Sequence, residues 1–231
     1  MRNDLLIVFP ARSGSKRIAN KNIRPFRGKP LLDRVISVAK EAGLTEQIYV
    51  DTDSKDYEEL ALKSGARCPF LRDSFGDDYS PVSLSTVRFL ERLKASGNRL
   101  PPITMQLMVN CPLRTEENIK DALEYFDSHG SFQISAFEFP FGACQWAQRR
   151  TPDGYGEPLF GDELNSRSQD QSPVYFPTGA IWVAETEALL KSRSFYGPNY
   201  RLWPMNWIQA LDIDTEEDWK FTESIAELRN E

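Results

Sequence analysis

Four cations crowd between residues 12 and 21 of the chain: Arg12, Lys16, Arg17 and Lys21, with Ser13, Gly14 and Ser15 among them and Asn22 directly after. Gly14 lets backbone N–H groups turn inward, the serines add donors, and the cations supply charge, a combination suited to cradling a polyphosphate. Near the other end stand Asp212 and Asp214, two apart. On an extended segment such a pair projects to one side, and Mg²⁺ is typically held by one or two carboxylates together with substrate phosphates. Each cluster has a plainer reading. A basic loop is most often a solvated one, and Asp214 with Glu217 three residues on is a helix-capping arrangement. Local sequence leaves both readings of the aspartates open.

Other chemistries are excluded more firmly. Neither GxxxxGK[ST] nor GxGxxG occurs, which argues against a Walker-type loop and a dinucleotide-binding dehydrogenase. The one histidine, His129, stands in DSHG, where it reads as a dipole partner in a last helical turn before a Gly cap. A Ser-His-Asp or Cys-His mechanism is therefore not expected. Carboxylates, lysine, arginine or a metal must do the work.

The elements that position these groups follow from periodicity. Leu5 to Phe9 reads as a strand buried on both faces, and Pro10, lacking an N–H, ends its ladder. The basic loop thus leaves the carboxyl end of a strand, where open α/β sheets bind ligands. A helix beginning at Pro30-Leu31-Leu32 buries Leu32, Val35, Ile36 and Ala39 and stops at Gly43. Gln47 to Val50 is a strand, Lys55 to Lys63 a helix capped by Asp53, and a further strand precedes Phe70-Leu71-Arg72. Ser80 and Pro81 open a helix burying Leu84, Val87, Leu90 and Leu93. Ile103 to Val109 and Phe132 to Phe137 are strands flanking a helix that Thr115 caps, with Ile119, Ala122, Leu123 and Phe126 on its core face. Thr178 to Val183 is a strand, and Ile208 to Ile213 is the last, delivering the two aspartates. A closing helix buries Trp219, Thr222, Ile225 and Leu228. Strands alternating with helices predict an α/β fold. From 139 to 176 both periods vanish into Pro, Gly, aromatic and polar residues, an excursion from the sheet; ordered aromatic-rich excursions often pack on a partner chain.

Composition sets the bounds. A chain of 231 residues with formal net charge −6 suits one α/β domain and argues against a general nucleic-acid binder, which shows a basic face. No stretch approaches 18 apolar residues, so no membrane span is expected. The first residues run straight into a strand without a signal-like apolar region, and a cytoplasmic protein is expected. Cys68, Cys111 and Cys144 form neither a CxxC pair nor a disulfide framework and read as buried free thiols.

The stretch PARSGSKRIANKNIRPFRGKPLL resembles the N-terminal signature of the CMP-sugar synthetases that activate nine-carbon sialic-type acids (N-acetylneuraminate, pseudaminate, legionaminate), roughly ARxGSKRxxxKNxxxxxGxPL. The likeness continues through Pro112-Leu113-Arg114-Thr115, through Thr178 to Val183 and through Asp212 to Asp218, which matches DIDTxED. Met108 to Cys111 depart from the family's PTSPLRT-like pattern. Glu138 to Phe141 and Asn165 to Asp170 look closer to the pseudaminate branch.

The resemblance implies a three-layer Rossmann-like nucleotidyltransferase fold. It has a mostly parallel central sheet and a single domain over 1–231, with 139–176 as a dimerisation and sugar-contacting arm. It implies a homodimer that joins CTP to a nine-carbon nonulosonic acid with Mg²⁺, giving a CMP-sugar and pyrophosphate. Carried onto this chain, Arg12, Lys16, Lys21 and Asp214 are the candidate catalytic residues. Ala11, Arg12, Ser15, Lys16, Asn22 and Arg72 would hold the nucleotide, and Asp212 and Asp214 the metal. Arg167 offers a planar fork for the sugar's carboxylate and Gln169 donors and acceptors for its hydroxyls or amides. The plainer alternatives are a surface role for Arg72 and an interface ion pair for Arg167. A synthetase for an eight-carbon keto-acid sugar shares fold and reaction type. The substitutions at Met108 to Cys111 also suit a non-catalytic nucleotide-binding paralogue.

Overall fold

The computed structural model describes residues 1–72, 81–139 and 144–229, the side chain of Asp162 excepted. Strand β1 (Leu5–Pro10) is buried along its whole length. Its alternate side chains enter two different cores, Leu5, Ile7 and Phe9 on one face and Leu6 and Val8 on the other, as period-2 alternation requires. A strand flanked in this way sits inside a sheet with helices on both sides.

The chain then makes a small hairpin, β2 (Pro25–Phe26) against β3 (Lys29–Pro30), turning through Arg27 and Gly28, both at positive φ, as two-residue hairpin turns demand. Helix α1 (Leu31–Glu41) follows, burying Leu31, Leu32, Val35, Ile36 and Ala39 at helical spacing. Next come β4 (Ile48–Asp51), α2 (Lys55–Lys63), α3 (Val82–Ala95) and β5 (Ile103–Leu107). Helix α4 (Glu116–His129) begins at a reciprocal capping box between Thr115 and Asn118 and buries Ile119, Ala122, Leu123 and Phe126. Its His129 donates through Nδ1 to the Tyr125 carbonyl at 2.7 Å, and Gly130 follows at φ 66°. Strand β6 (Phe132–Glu138) leads into the excursion with its short hairpin β7 (Gln148–Arg150) and β8 (Gly156–Pro158). The chain returns as β9 (Tyr175–Glu185) and closes with α5 (Thr186–Ser192), β10 (Arg201–Pro204) and α6 (Glu216–Arg229).

The six-stranded sheet has the order β10-β6-β9-β5-β1-β4. β9 alone runs against the others. The β1 face with Leu5, Ile7 and Phe9 packs residues of α1, α2, α4 and α6, and the opposite face packs residues of α3 and α5. This is the three-layer, mostly parallel α/β architecture expected.

Several expectations need correction. Asp53 does not cap α2: Ser54 holds that position, and the Asp53 carboxylate turns elsewhere. The strand expected before Phe70 reduces to one isolated bridge between Tyr49 and Arg67. Ser80 lies outside the described residues, as do Asp77 to Tyr79 and Pro140 to Phe141; Pro81 is the N-cap of α3 rather than its first residue, and Leu84 is only partly buried. Ile208 to Ile213 is not a strand. Asn206 accepts from the Ile208 N–H and the chain closes turns onto itself at Ala210 and Leu211, while the last ladder is made earlier by β10. In α6 the core face is Trp219, Thr222 and Ala226. Leu228 is 81 % exposed because two residues beyond Ala226 is roughly 200° around a helix. Cys68 and Cys111 are buried free thiols, and Cys144 is half-buried.

Candidate active site

The two ends of the chain meet beyond the carboxyl end of β1. Ile18, in the middle of the basic loop, is 2 % exposed and belongs to the same core as β1's odd-numbered side chains, so the loop is tethered rather than loose. Further ties act on its backbone. The Ser13 N–H donates to Asp53 Oδ1 at 2.8 Å, which is where the supposed cap of α2 is directed. The Asn22 side chain, nearly buried, donates to the Arg12 carbonyl at 3.2 Å. Ala11, fully buried, donates its N–H to the Asp51 carbonyl at 2.9 Å. Gly14 is not forced by backbone conformation: its φ lies outside the positive region, and a Cβ there would meet nothing within 4 Å. Room for a ligand to approach the backbone is the property left to it.

Lys21 opens a short 3₁₀ turn, Lys21–Ile23, after Asn20 at φ 51°. Its ammonium donates to the Ile213 carbonyl at 2.7 Å and to Asp214 Oδ1 at 3.0 Å. Arg17 takes the other oxygen, Nη2 to Asp214 Oδ2 at 2.8 Å. A second clamp lies just outside. Arg24 pairs with Glu216 at 2.6 Å and lies over the Trp219 ring at 4.2 Å, and Trp219 meets Phe26 edge-on at 5.8 Å.

Asp214 is free for this work because it does not cap α6. Asp218 Oδ2 accepts from the N–H groups of Asp214 and Thr215, at 3.0 and 2.7 Å, and Thr215 Oγ1 accepts from the Asp218 N–H. The capping box is Thr215 with Asp218, and the arrangement with Glu217 is not used. Asp212 reaches solvent but is crowded enough that desolvation, joined by the neighbouring charge of Asp214, raises its carboxyl above the ordinary value. The accumulation of negative charge between these two acids is the environment a cation relieves. Among the described residues no group of three metal-ligating side chains is found; Asp212 and Asp214 are the carboxylates here that could hold a divalent cation.

Around Lys21 and Asp214 opens a cleft of about 410 Å³, lined by Pro10, Arg12, Ser15, Lys16, Arg17, Lys21, Asn22, Met108, Val109, Asn110 and Asp214. Four cations and one carboxylate face it in a chain whose net charge is −6. Asn110 is tied to the same place: its carbonyl accepts from the Ile213 N–H at 2.8 Å, and its side-chain amide lies 3.5 Å from Asp214 Oδ1. Such a site attracts a polyanion and can neutralise charge that builds on it.

The expected site residues do not all converge. Arg12, Ser15, Lys16, Lys21, Asn22 and Asp214 line the cleft, whereas Ala11, fully buried, and Asp212 do not. Arg72 is committed elsewhere, with Nη2 at 2.6 Å from Asp51 Oδ2 and 2.9 Å from the Asp51 carbonyl. Burial raises the Asp51 carboxyl, opposed by the charge of Arg72 and by hydrogen bonds from Arg72 and Ser85. Neither the guanidinium of Arg72 nor the arm residues Arg167 and Gln169 line the cleft in the single chain. Arg167 instead pairs within the arm, Nε to Asp170 Oδ2 at 2.7 Å. Arg17 is one of the four cations read from the sequence, although no separate role was given to it; Asp53 and Asn110 are site groups that residue types alone did not single out. For Asp53 the usable signal was position: it follows the strand next to β1, so both loops leave the same edge of the sheet.

Residues 6–229 match the cytidylyltransferase family. A pseudaminic acid cytidylyltransferase from Campylobacter jejuni is 31% identical, with 98% of this chain and 97% of that protein covered. A CMP-N,N'-diacetyllegionaminic acid synthase from Legionella pneumophila is also 31% identical, with 98% of both covered. Among solved structures, the CMP:2-keto-3-deoxy-manno-octonic acid synthetase complexed with CTP superposes with a TM-score of 0.71 at 15% identity, covering 98% of this chain and 100% of that one; at that identity it speaks for the fold alone. With the fold and these likenesses together, the chain belongs to the cytidylyltransferase family and is a nucleotidyltransferase.

Proposed function

We propose that this chain joins CTP to a nine-carbon nonulosonic acid of the pseudaminic, legionaminic or sialic type, releasing pyrophosphate. The observation that carries the reading is the cleft wall itself: Arg12, Lys16, Arg17 and Lys21 opposite a single carboxylate, where the two ends of an acidic chain meet. In this reaction the anomeric hydroxyl oxygen bonds to the α-phosphorus and the bond from that phosphorus to the bridging oxygen of the β-phosphate breaks. The hydroxyl proton passes to solvent, and pyrophosphate leaves with the electron pair. Arg12, Lys16 and Lys21 offset the charge accumulating on that leaving group. Ser15 and the loop backbone orient the phosphates, with Asn22 fixing the loop at Arg12.

Asp212 and Asp214 would hold Mg²⁺, which when bound supplies positive charge to the phosphates and acidifies a nearby hydroxyl. The cations now on Asp214 are the ones a triphosphate would attract, so the aspartate and the loop share their partners with the ligand. The arm, 139–176, would contact the sugar through Arg167 and Gln169 and serve a homodimer. Supporting that role are its exposed aromatics Trp146, Tyr155, Phe160 and Phe176. No helix among the described residues is long and apolar enough to cross a membrane, and the reading carries with it a cytoplasmic location.

Pyrophosphate release with CTP and a panel of nine-carbon acids tests the proposal. Release with at least one of them is expected. Release only with an eight-carbon keto-acid sugar reassigns the substrate, and CTP binding without any release makes the chain a non-catalytic paralogue, the reading that the departures at Met108 to Cys111 favour.

A further inference from the structure

The ladder between β5 and β9 ends at Leu107 opposite Ile181. One residue further, where Met108 would face Ala180, the strands part, and Met108, Val109 and Asn110 swing out to line the cleft. Arg114 stands in the gap. Its Nη1 donates to the Met108 carbonyl at 3.1 Å and to the Ala180 carbonyl at 2.6 Å, so one guanidinium nitrogen bridges the two backbones where the ladder has stopped. Gly179 meets Met108 from the other side: a Cβ there would lie 3.0 Å from the Met108 side chain.

The two carbonyls that Nη1 satisfies account for only part of this arginine. It is 2 % exposed, no carboxylate pairs with it among the described residues, and its Nε and Nη2 have no hydrogen-bond partner. The neighbouring Cys111 thiol offers no compensating charge, since burial pushes it up to about 12. Arg114 is itself pushed down by burial to about 10 and stays cationic at neutral pH. Buried charges with incomplete partners cost stability, and apolar replacements of similar shape are often neutral or stabilising.

We propose that Arg114 is a positioning residue for the nucleotidyl transfer, holding the parted ends of β5 and β9 at the separation that sets the Met108–Asn110 wall of the cleft. This rests on the nucleotide reading above. Because β9 is also the strand on which the arm returns, the same cross-tie fixes the cleft wall relative to the arm's root.

The test is CTP binding by calorimetry, with thermal unfolding measured alongside, for the wild type, R114M and G179A. R114M removes the tie, and G179A displaces Met108 while leaving Arg114 in place. In folded R114M the dissociation constant for CTP should rise about tenfold or more, by analogy with the rate cost of a 1 Å misplacement, even where Tm falls because two carbonyls lose their donor. A merely structural arginine would lower Tm and leave binding by the folded protein untouched. Should R114M not fold, G179A decides, with a rise in the dissociation constant supporting the proposal. Wild-type affinity in whichever variant folds overturns it. A wild-type chain that binds no CTP overturns the nucleotide reading and this inference together.

Discussion

The cleft and the arm are built by opposite means. Around the cleft, Lys21, Arg17, Arg24, Asp214 and Glu216 are joined across almost the full length of the sequence, and the loop between them is anchored by buried Ile18 and by Asp53. In the arm, most described side chains are exposed, and the ion pair of Arg167 reaches only to Asp170, three residues on. Long-range ties of this kind pre-set a geometry within the single chain, whereas local ties leave an element to be completed by something else. On the proposed reading, charge neutralisation belongs to the cleft and recognition of the second substrate to the arm.

Three perturbations would break or sharpen that contrast. The largest effect is expected from K21A, which should lower the rate of pyrophosphate release by about 10² or more, the scale of losing a charge stabiliser of the transition state. R167A should raise the KM for the sugar acid by about tenfold, consistent with losing a charge-assisted hydrogen bond, while leaving the CTP affinity and Tm unchanged; steady-state kinetics against each substrate separates the two. The smallest effect belongs to the cap beneath Asp214. D218A should cost about 1 kcal/mol, lowering Tm by roughly 2–4 °C.

That last deficit carries a pH signature. Desolvation pulls the Asp218 carboxyl up, but hydrogen bonds from the Thr215 side chain and from the Thr215 and Asp214 N–H groups outweigh it and hold the carboxyl below its ordinary value. A carboxyl depressed on folding stabilises above its unfolded pKa, about 3.9 for aspartate. The contribution is lost as pH falls through the lower folded value. The Tm difference between D218A and the wild type should therefore persist at pH 5 and close in stronger acid.

Much of this was legible from residue types where a short-range rule decides. The helical period of Leu32, Val35, Ile36 and Ala39, and the Thr115 cap with its core face, needed only local spacing and appear as expected. The place of the basic loop was legible because strand ends collect ligands in open sheets, whereas the meeting of Lys21 with Asp214 followed only from the family resemblance, since the aspartates do not leave a strand. What escaped depends on contacts between segments. Asp53 looks like a cap until β4 is known to lie beside β1, and Arg72 reads as a nucleotide contact or a surface arginine until its pairing with Asp51 is known. The run Ile208 to Ile213 has a strand's apolar content, yet the Asn206 side chain and backbone turns claim its hydrogen bonds. β10 escaped because it is only four residues long and includes Pro204, which an edge strand tolerates.

The central claim is that Lys21 and Asp214 act on one triphosphate, and rates of pyrophosphate release from CTP for K21A, D214N and the double variant test it directly. Residues acting as a unit are not additive, so the double variant should be little slower than the poorer single one, with D214N also requiring more Mg²⁺. Penalties that multiply in the double variant, or wild-type rates in either single one, would contradict the account.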